Sequence, residues 1–122
     1  MHILIVDDSR IMRQIVKRTL KQAGFSESVY SEASNGYEAL EIFQKNKPDI
    51  ILSDWNMPEM DGLSLLQEVR KADSEIPFGL ITAQSTASLR ESARYHGAHF
   101  LLSKPFTTES LGAAVSAVIS SN

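Results

Sequence analysis

The chain has 122 residues, of which 43% are hydrophobic and 22% are charged, and its formal net charge is −3. This length and balance predict one globular domain with a core of its own. The absence of cysteine excludes disulfide frameworks, thiolate catalysis and cysteine-based zinc sites. The acidic balance and the lack of a long run of Lys and Arg predict no nucleic-acid partner.

The amino terminus shows no targeting pattern. Its apolar run, residues 3–6, is shorter than the hydrophobic region of a signal peptide and stops at Asp7 and Asp8. No stretch approaches the roughly 20 apolar residues that a membrane-spanning helix needs. We therefore expect a cytoplasmic protein without a membrane partner.

The first predicted elements are a strand and a helix. Residues 3–6 form a continuous apolar run of strand length. Apolar side chains then recur at helical spacing, and Gly24, which follows them, suits a left-handed helix stop. The apolar face of this first helix consists of Ile11, Met12, Ile15, Val16, Thr19, Leu20 and Ala23.

The next elements are a weaker strand candidate, a capped helix and a clear strand. Residues 28–32 are the weaker strand candidate. Asn35, with Glu38 three residues later, resembles a capping box that opens a helix over 37–45. Residues 50–52 then form a second continuous apolar run. Such runs are typical of strands that are buried on both faces of a parallel sheet.

The second half repeats the alternation. A third helix follows Gly62, residues 78–81 form a fourth strand, and a fourth helix ends near Gly97. The apolar positions of these two helices are Leu63, Leu66 and Val69 in the third and Leu89 and Ala93 in the fourth.

The last pair of elements is a strand over 100–102 and a fifth helix that Thr107 or Thr108 caps. Gly112 lies inside this helix, at a cost of about 1 kcal/mol relative to alanine. The apolar face of the helix consists of Leu111, Ala114, Val115, Val118 and Ile119.

Five strand–helix pairs in alternation predict an α/β fold, a doubly wound five-stranded parallel sheet with five helices. In such sheets, ligands bind beyond the carboxyl ends of the strands, at the point where the strand order reverses. The polar residues that follow the predicted strands are therefore the candidates for a functional site.

Four strands deliver such residues to this edge: Asp7 and Asp8, Asp54, Thr82 and Lys104. Three carboxylates in one place repel one another, so a cation is needed to keep them ionised. Carboxylate oxygens suit Mg²⁺ better than a soft metal. Lys104 and Thr82 would add a positive charge and a hydroxyl donor for an anion. A phosphoryl group beside a metal ion satisfies all of these groups.

Taken one at a time, the same residues have simpler explanations. Asp7 and Asp8 could form a solvated turn that caps a helix, and Asp54 could be a turn residue at a strand end. Thr82 alone is an ordinary strand residue, and Lys104 alone an ordinary surface lysine. Their order and joint spacing favour the functional interpretation.

The ordered set resembles the receiver domain of two-component response regulators, and the likeness covers essentially the whole chain, 1–122. The segment around Asp54 is especially similar to that of chemotaxis response regulators. The motifs that carry the resemblance are Val6-Asp7-Asp8-Ser9, Ser53-Asp54-Trp55-Asn56-Met57-Pro58-Glu59-Met60-Asp61-Gly62, Thr82-Ala83 and Lys104-Pro105-Phe106.

The resemblance implies strand order 2-1-3-4-5 and a phosphoryl group accepted on Asp54. It also implies that Mg²⁺ is bound directly by Asp8, partly through water by Asp7, and by Asp54 and the backbone carbonyl of Asn56. A sensor histidine kinase would supply the phosphoryl group from a phosphohistidine. The protein would catalyse its own phosphorylation and dephosphorylation without turning over a separate substrate, so it is not expected to be an enzyme.

The other two site residues also take their roles from the resemblance. Thr82 would bind a phosphoryl oxygen and move on phosphorylation. Lys104 would pair with the phosphoryl group and the carboxylates, and its peptide bond to Pro105 would be cis. Asn56 and Gln84 would flank the path of the water that later hydrolyses the phosphoryl group.

One position departs from the family. Receiver domains often carry an aromatic residue three positions before the lysine, and this chain has Leu101 there. Leu101 could fill the space of the aromatic ring, or the neighbouring Phe100 could substitute for it; the alternation of side chains along a strand argues that Phe100 faces the opposite side. We expect Thr82 to move without assigning it an aromatic partner.

The output is expected to be a protein, bound at the face of the fourth helix, fifth strand and fifth helix. A flagellar motor switch component or a phosphatase is the favoured partner; a phosphorelay, or a place within a larger regulator, is the alternative. Because the chain ends at Asn122, a DNA-binding output in the same chain is not expected. A small Mg²⁺-dependent phosphatase would need an acid where Asn56 stands. A receiver that has lost phosphorylation would not be expected to retain every acid, Thr82 and Lys104.

Overall fold

The computed structural model describes residues 1–120. Within this part of the chain, no helix is long and apolar enough to cross a membrane. The elements are β1 (His2–Val6), α1 (Arg10–Leu20), β2 (Val29–Ala33), α2 (Gly36–Lys45), β3 (Ile50–Asp54), α3 (Gly62–Ala72), β4 (Phe78–Thr82), α4 (Ala87–Tyr95), β5 (Phe100–Ser103) and α5 (Thr108–Ser120).

The five strands form one parallel sheet in the order β2-β1-β3-β4-β5. Helices α1 and α5 cover one face, and α2, α3 and α4 cover the other. The predicted α/β fold and its strand order are both confirmed. The order reverses between β1 and β3, so these two strands meet at the switch point of the sheet.

The core lies on both faces of the sheet. On β1, Ile3 and Ile5 pack under α1 and α5, whereas Leu4 and Val6 face the other helices. All four side chains are almost completely buried. The strand therefore has no solvated face, which is why its sequence is a continuous apolar run instead of an alternating one.

Only part of the predicted apolar face of helix α1 is buried. Val16 and Leu20 are buried, but Ile11 is 73% exposed and Ile15 is 44% exposed. After Leu20 the helix passes into a π-helical stretch, Lys21–Phe25, that contains Gly24 at φ 108°. The left-handed stop is confirmed, but Ile11 and Ile15, two members of the predicted apolar face, are not buried in the core.

The start of α2 also differs in detail. Asn35 caps the helix, as predicted, by accepting a hydrogen bond from the Glu38 backbone at 2.8 Å. The helix begins at Gly36, one residue earlier than expected. The Glu38 carboxylate accepts from the backbone and hydroxyl of Ser34, at 2.8 and 2.9 Å, and not from Asn35. Upstream, β2 is displaced by one residue from 28–32, because buried Ala33 pairs with Val6.

The final strand and helix pack closely against their neighbours. Phe100 lies over Gly79, where any β-carbon would come within 2.2 Å of the ring. Leu101 faces the opposite side of the sheet, as its position predicted. Thr107 is the cap of α5, since its hydroxyl accepts from the Ser110 backbone at 2.9 Å. Gly112 lets α5 approach the π-helical stretch after α1, where a β-carbon on Gly112 would lie 2.9 Å from that of Ala23.

Candidate functional site

The candidate site lies at the carboxyl edge of the sheet, beside the switch point. Val6 pairs with Ser53, so Asp7 and Asp54 follow on adjacent strands. Thr82 is the last residue of β4 and pairs with Ser103, the residue before Lys104. The structure therefore brings together residues from four strands that are distant in the sequence.

Three acids form a compact group at this edge. Asp7, Asp8 and Asp54 each offer a carboxylate oxygen, and these oxygens lie within 4.8 Å of one another. Asp7 is 4% exposed and Asp54 is 8% exposed, whereas Asp8 is open to solvent. Asp7 and Asp8 do not cap α1, because Ser9 does so by accepting from the Met12 backbone at 3.2 Å.

The buried acids are held in an unfavourable electrostatic environment. Burial raises the pKa of Asp54; the hydrogen bond and charge of Lys104 oppose the shift, and the charge of Asp8 adds to it. Burial also raises the pKa of Asp7, against a backbone hydrogen bond from Ser9 and with a further increase from the charge of Asp54. One lysine does not offset the burial of two carboxylates.

Lys104 is the cation that contacts these acids. Its ammonium lies 3.1 Å from Asp54 Oδ1 and 3.7 Å from Asp7 Oδ2. Its backbone amide donates to the Thr82 carbonyl at 2.7 Å, and the peptide bond to Pro105 is cis, as predicted. The side chain is therefore directed between the two buried carboxylates from the end of β5.

Thr82 is buried, at 1% exposure, on the strand next to Asp54. Its hydroxyl oxygen accepts a hydrogen bond from the Gln84 backbone at 3.2 Å. An accepted bond leaves the hydroxyl proton available for another acceptor. The predicted hydroxyl donor thus lies at the same edge as the acids.

The backbone at the start of α3 lies very close to the backbone of Asp54. A β-carbon on Gly62 would lie 2.3 Å from the Asp54 carbonyl oxygen and 2.8 Å from Leu80 Cδ2. The Gly62 amide donates to the Trp55 carbonyl at 2.8 Å. Trp55 is itself 8% exposed and packs in the core. Gly62 therefore lets α3 begin directly against the strand that carries Asp54.

Two predicted residues stand at the margin of the site. Asn56 and Gln84 are exposed, each two residues beyond a buried strand end. Leu101 is half-buried and packs with the core under α2, α3 and α4.

The sequence analysis missed one contact, between the Arg13 side chain and the backbone of Asp7. Arg13 donates to the Asp7 backbone carbonyl at 2.7 Å and pairs with Glu32 of β2 at 3.0 Å. Arg13 lies within α1 and Glu32 on a different element, so no local pattern connects them. Only the packing of α1 against the sheet reveals the contact.

The donor set fits a hard divalent cation. It consists of three carboxylates, and burial together with the charge of neighbouring acids raises the pKa of the two buried ones, Asp7 and Asp54. Mg²⁺ prefers oxygen ligands, and its charge would relieve that repulsion. Asp7, Asp8 and Asp54 would hold the ion.

A doubly wound sheet with an acidic group, a threonine and a lysine at its switch-point edge defines a receiver-type signalling domain. The chain belongs to the response regulator receiver domain family, whose model matches residues 3–116.

Individual relatives agree with this assignment. Chemotaxis protein CheY1 of Helicobacter pylori is 38% identical over 126 residues, which cover 100% of this chain and 99% of that protein. The solved structure of chemotaxis response regulator CheY4 of Vibrio cholerae superposes with a TM-score of 0.85 at 34% identity, covering 96% of this chain and 97% of the other.

Longer relatives match as well. Response regulator MprA of Mycobacterium leprae is 35% identical over 119 residues, which cover 98% of this chain but 51% of that protein. The chain thus spans about half the length of these MprA relatives. The chain is a CheY-like receiver domain. It matches almost the full length of CheY1 and about half the length of MprA.

Proposed function

We propose that the chain is a single receiver domain over 1–122 that accepts a phosphoryl group on Asp54 from a sensor histidine kinase. The observation that carries the proposal is the buried Asp54 carboxylate, 3.1 Å from the Lys104 ammonium and grouped with two further acids. A carboxylate oxygen of Asp54 attacks phosphorus, and the bond from phosphorus to the donor nitrogen breaks. The electron pair of that bond stays on the imidazole.

The surrounding side chains neutralise and orient the transferred group. Lys104 pairs with a phosphoryl oxygen, and the Thr82 hydroxyl donates to another. A magnesium ion held by Asp7, Asp8, Asp54 and the Asn56 carbonyl would supply positive charge next to the phosphoryl oxygens. Phosphoryl transfer depends largely on such positioning and charge neutralisation.

Phosphorylation then changes the surface that an output partner binds. The Thr82 hydroxyl turns toward the new acceptor and reorganises the loop before α4, because the bond that it accepts from the Gln84 backbone leaves its proton available to donate. Asn56 and Gln84 border the approach of the water that hydrolyses the phosphoryl group. The protein acts on itself and turns over no separate substrate.

The setting we propose is a cytoplasmic two-component pathway in chemotaxis. Support comes from the match to CheY1, a chemotaxis protein, along 99% of its length. The output partner is a flagellar motor switch component or a phosphatase, bound at the face of α4, β5 and α5. The match to half of MprA supports a second candidate, in which the same domain serves a larger regulator.

The test is the intact mass of the protein after incubation with acetyl phosphate and Mg²⁺. We expect a gain of one phosphoryl group, about 80 Da, that chelation abolishes and Asp54→Asn removes. Asp61→Asn is the matched control: Asp61 lies in the loop that follows Asp54 and caps α3 by accepting a hydrogen bond from the Ser64 backbone at 2.8 Å. Asparagine caps a helix as well as aspartate does, so this variant should still be phosphorylated.

Two results would contradict the proposal. One is a folded wild-type protein that gains no mass and binds no beryllofluoride in the presence of Mg²⁺. The other is an equal gain in the Asp54→Asn variant, which would place the phosphoryl group on another residue.

A further inference from the structure

Both backbone polar atoms of Asp7 and one oxygen of its carboxylate are hydrogen-bonded. Its amide donates to the Ala33 carbonyl at 3.1 Å, and its carboxylate accepts from the Ser9 amide at 2.9 Å. Its carbonyl accepts from Arg13 Nη1 at 2.7 Å. The first two contacts come from the backbone, so Arg13 is the side chain that fixes the peptide between Asp7 and Asp8.

Arg13 is itself held from the other side. Its Nε lies 3.0 Å from Glu32 Oε1, while the second oxygen of Glu32 pairs with Lys17 at 2.7 Å. Gln14 also donates to Glu32, at 3.2 Å. The Arg13 side chain is 14% exposed, so the guanidinium is confined between the edge strand β2 and the end of β1.

The positive charge of Arg13 lies close to an acidic group that is proposed to bind a cation. A guanidinium next to an acidic group that binds a cation would by its charge alone weaken that binding. Glu32 offsets the charge: the pKa of its carboxyl is lowered, first by the hydrogen bond from Lys17 and also by that from Arg13, so Glu32 is ionised at neutral pH. With its charge offset, Arg13 contributes mainly by fixing the position of the Asp7 carbonyl.

We propose that Arg13 is a positioning residue that sets the affinity of the acidic group for a divalent cation. By holding the Asp7 carbonyl, it fixes the orientation of the peptide that carries Asp7 into Asp8, and Glu32 holds Arg13 in place. The inference rests on the proposed function, because it assumes that the acidic group binds Mg²⁺. Groups that orient metal ligands typically change metal affinity 10- to 100-fold when they are removed.

The side-chain chemistry makes arginine necessary here. Its planar guanidinium donates in two directions at once, to a carbonyl from Nη1 and to a carboxylate from Nε. Lysine has a single ammonium on a flexible stem, which cannot reproduce that fork. Arg13→Lys therefore keeps the charge and loses the geometry, whereas Arg13→Gln loses both.

The experiment is a titration of the full chain with Mg²⁺ alone, followed by the fluorescence of Trp55, the chain's single tryptophan and the neighbour of Asp54. We expect Arg13→Gln and Arg13→Lys to bind Mg²⁺ about tenfold more weakly or worse, and Glu32→Gln to show a smaller loss. Lys17→Gln is the control, because Lys17 contacts Glu32 without reaching Asp7. It should bind Mg²⁺ as the wild type does.

A kinetic measurement separates positioning from catalysis. With acetyl phosphate as donor, the Mg²⁺ concentration for half-maximal phosphorylation of Asp54 should rise in Arg13→Gln by more than the maximal rate falls. Urea unfolding of the metal-free variants verifies that each remains folded under the assay conditions.

The sign of the effect decides the matter. If charge alone acted, removing Arg13 would tighten Mg²⁺ binding; a tightened or unchanged affinity in Arg13→Gln overturns the inference. An equal loss in Lys17→Gln also overturns it, by showing that the pairing of α1 with β2 matters and not the contact with Asp7. A wild-type chain that binds no Mg²⁺ overturns the proposed function itself.

Discussion

Asp54 is a buried acid whose charged form the fold disfavours. Because its pKa is raised by burial and by Asp8, the folded state holds the proton more tightly than the unfolded state does. A carboxyl of this kind makes the folded state less stable as pH rises from its ordinary value through the raised one, and the deficit persists at neutral pH. Charge neutralisation at Asp54 should therefore stabilise the metal-free protein.

We expect Asp54→Asn to increase the free energy of unfolding by about 1 kcal/mol in chelator at pH 7, and by less at pH 4. Urea unfolding at the two pH values provides the measurement. Asp61→Asn, on the adjacent loop, should show no such gain. A less stable Asp54→Asn variant at pH 7 would mean that its pairing with Lys104 outweighs the cost of burial.

Asp73 shows the opposite behaviour at the far end of the sheet. The Lys47 ammonium contacts its carboxylate, and the backbone amides of Glu75 and Ile76 donate to it at 2.8 and 2.9 Å. Together these contacts, with Lys47 the largest, lower its pKa to about 2. Since the folded-state pKa lies below the unfolded one, the stabilisation is present above the ordinary value and is lost as pH falls toward 2.

The expected outcome is a loss of about 1 kcal/mol for Asp73→Asn at pH 7, because Lys47 is exposed and solvent screens the pair. The difference from wild type should shrink as the pH of the unfolding experiment approaches 2. Asp73→Ala, which also loses both backbone hydrogen bonds, should be less stable than Asp73→Asn throughout. A constant difference for Asp73→Asn across the pH range would show that the ion pair is not its source.

At the scale of elements, the junction of β3 and α3 determines the position of Asp54. A β-carbon on Gly62 would meet the Asp54 carbonyl at 2.3 Å, and backbone cannot move aside as a flexible side chain can. Such a clash forces the start of α3 away from the strand end. Asp54 would then shift relative to Lys104.

Gly62→Ala is therefore expected to destabilise the fold by about 3 kcal/mol and to slow phosphorylation by acetyl phosphate. Gly24→Ala is the matched control, since Gly24 has φ 108° and no atom within 4 Å of an added β-carbon. It should cost about 1 kcal/mol in backbone strain and leave the phosphorylation rate unchanged. Equal effects of the two substitutions on the rate would remove the special role of this junction.

At the scale of the whole molecule, the exposed side of α1 borders the site. Ile15 lines a cleft of about 350 Å³ together with Met12, Lys104, Pro105 and Phe106. Ile11 is more exposed still, one turn before Ile15. Exposed apolar side chains beside the proposed phosphorylation site are suited to contact a protein phosphodonor.

We expect Ile11→Ser to slow phosphotransfer from a phosphorylated histidine kinase about fivefold, the effect of losing roughly 1 kcal/mol of contact. The rate with acetyl phosphate, which needs no docking surface, should not change. Val29→Ser, at a residue 64% exposed on the far edge strand, serves as the control. Equal slowing with both donors would place the effect in the site and not in docking.

Local patterns in the sequence were sufficient for the elements themselves. Continuous apolar runs predicted strands buried on both faces, and cap residues and Gly24 predicted helix ends within a residue or two. Periodicity and capping depend only on near neighbours, so they are legible without coordinates. The candidate site could be predicted for a related reason: parallel strands bring their carboxyl ends to one edge, so Asp7, Asp54 and Thr82 had to meet.

Only the tertiary structure decided which of these apolar side chains are buried against other elements of the chain. The apolar stripe of α1 contains both Ile11 and Val16. Of these two, the sheet covers Val16 and leaves Ile11 exposed, and helical periodicity does not distinguish them. The strand order came from the family resemblance, and the contact of Arg13 with Asp7 and Glu32 came from the structure alone. A sequence determines which surfaces need burial and which groups carry charge. Contacts between distant residues depend on how the elements pack.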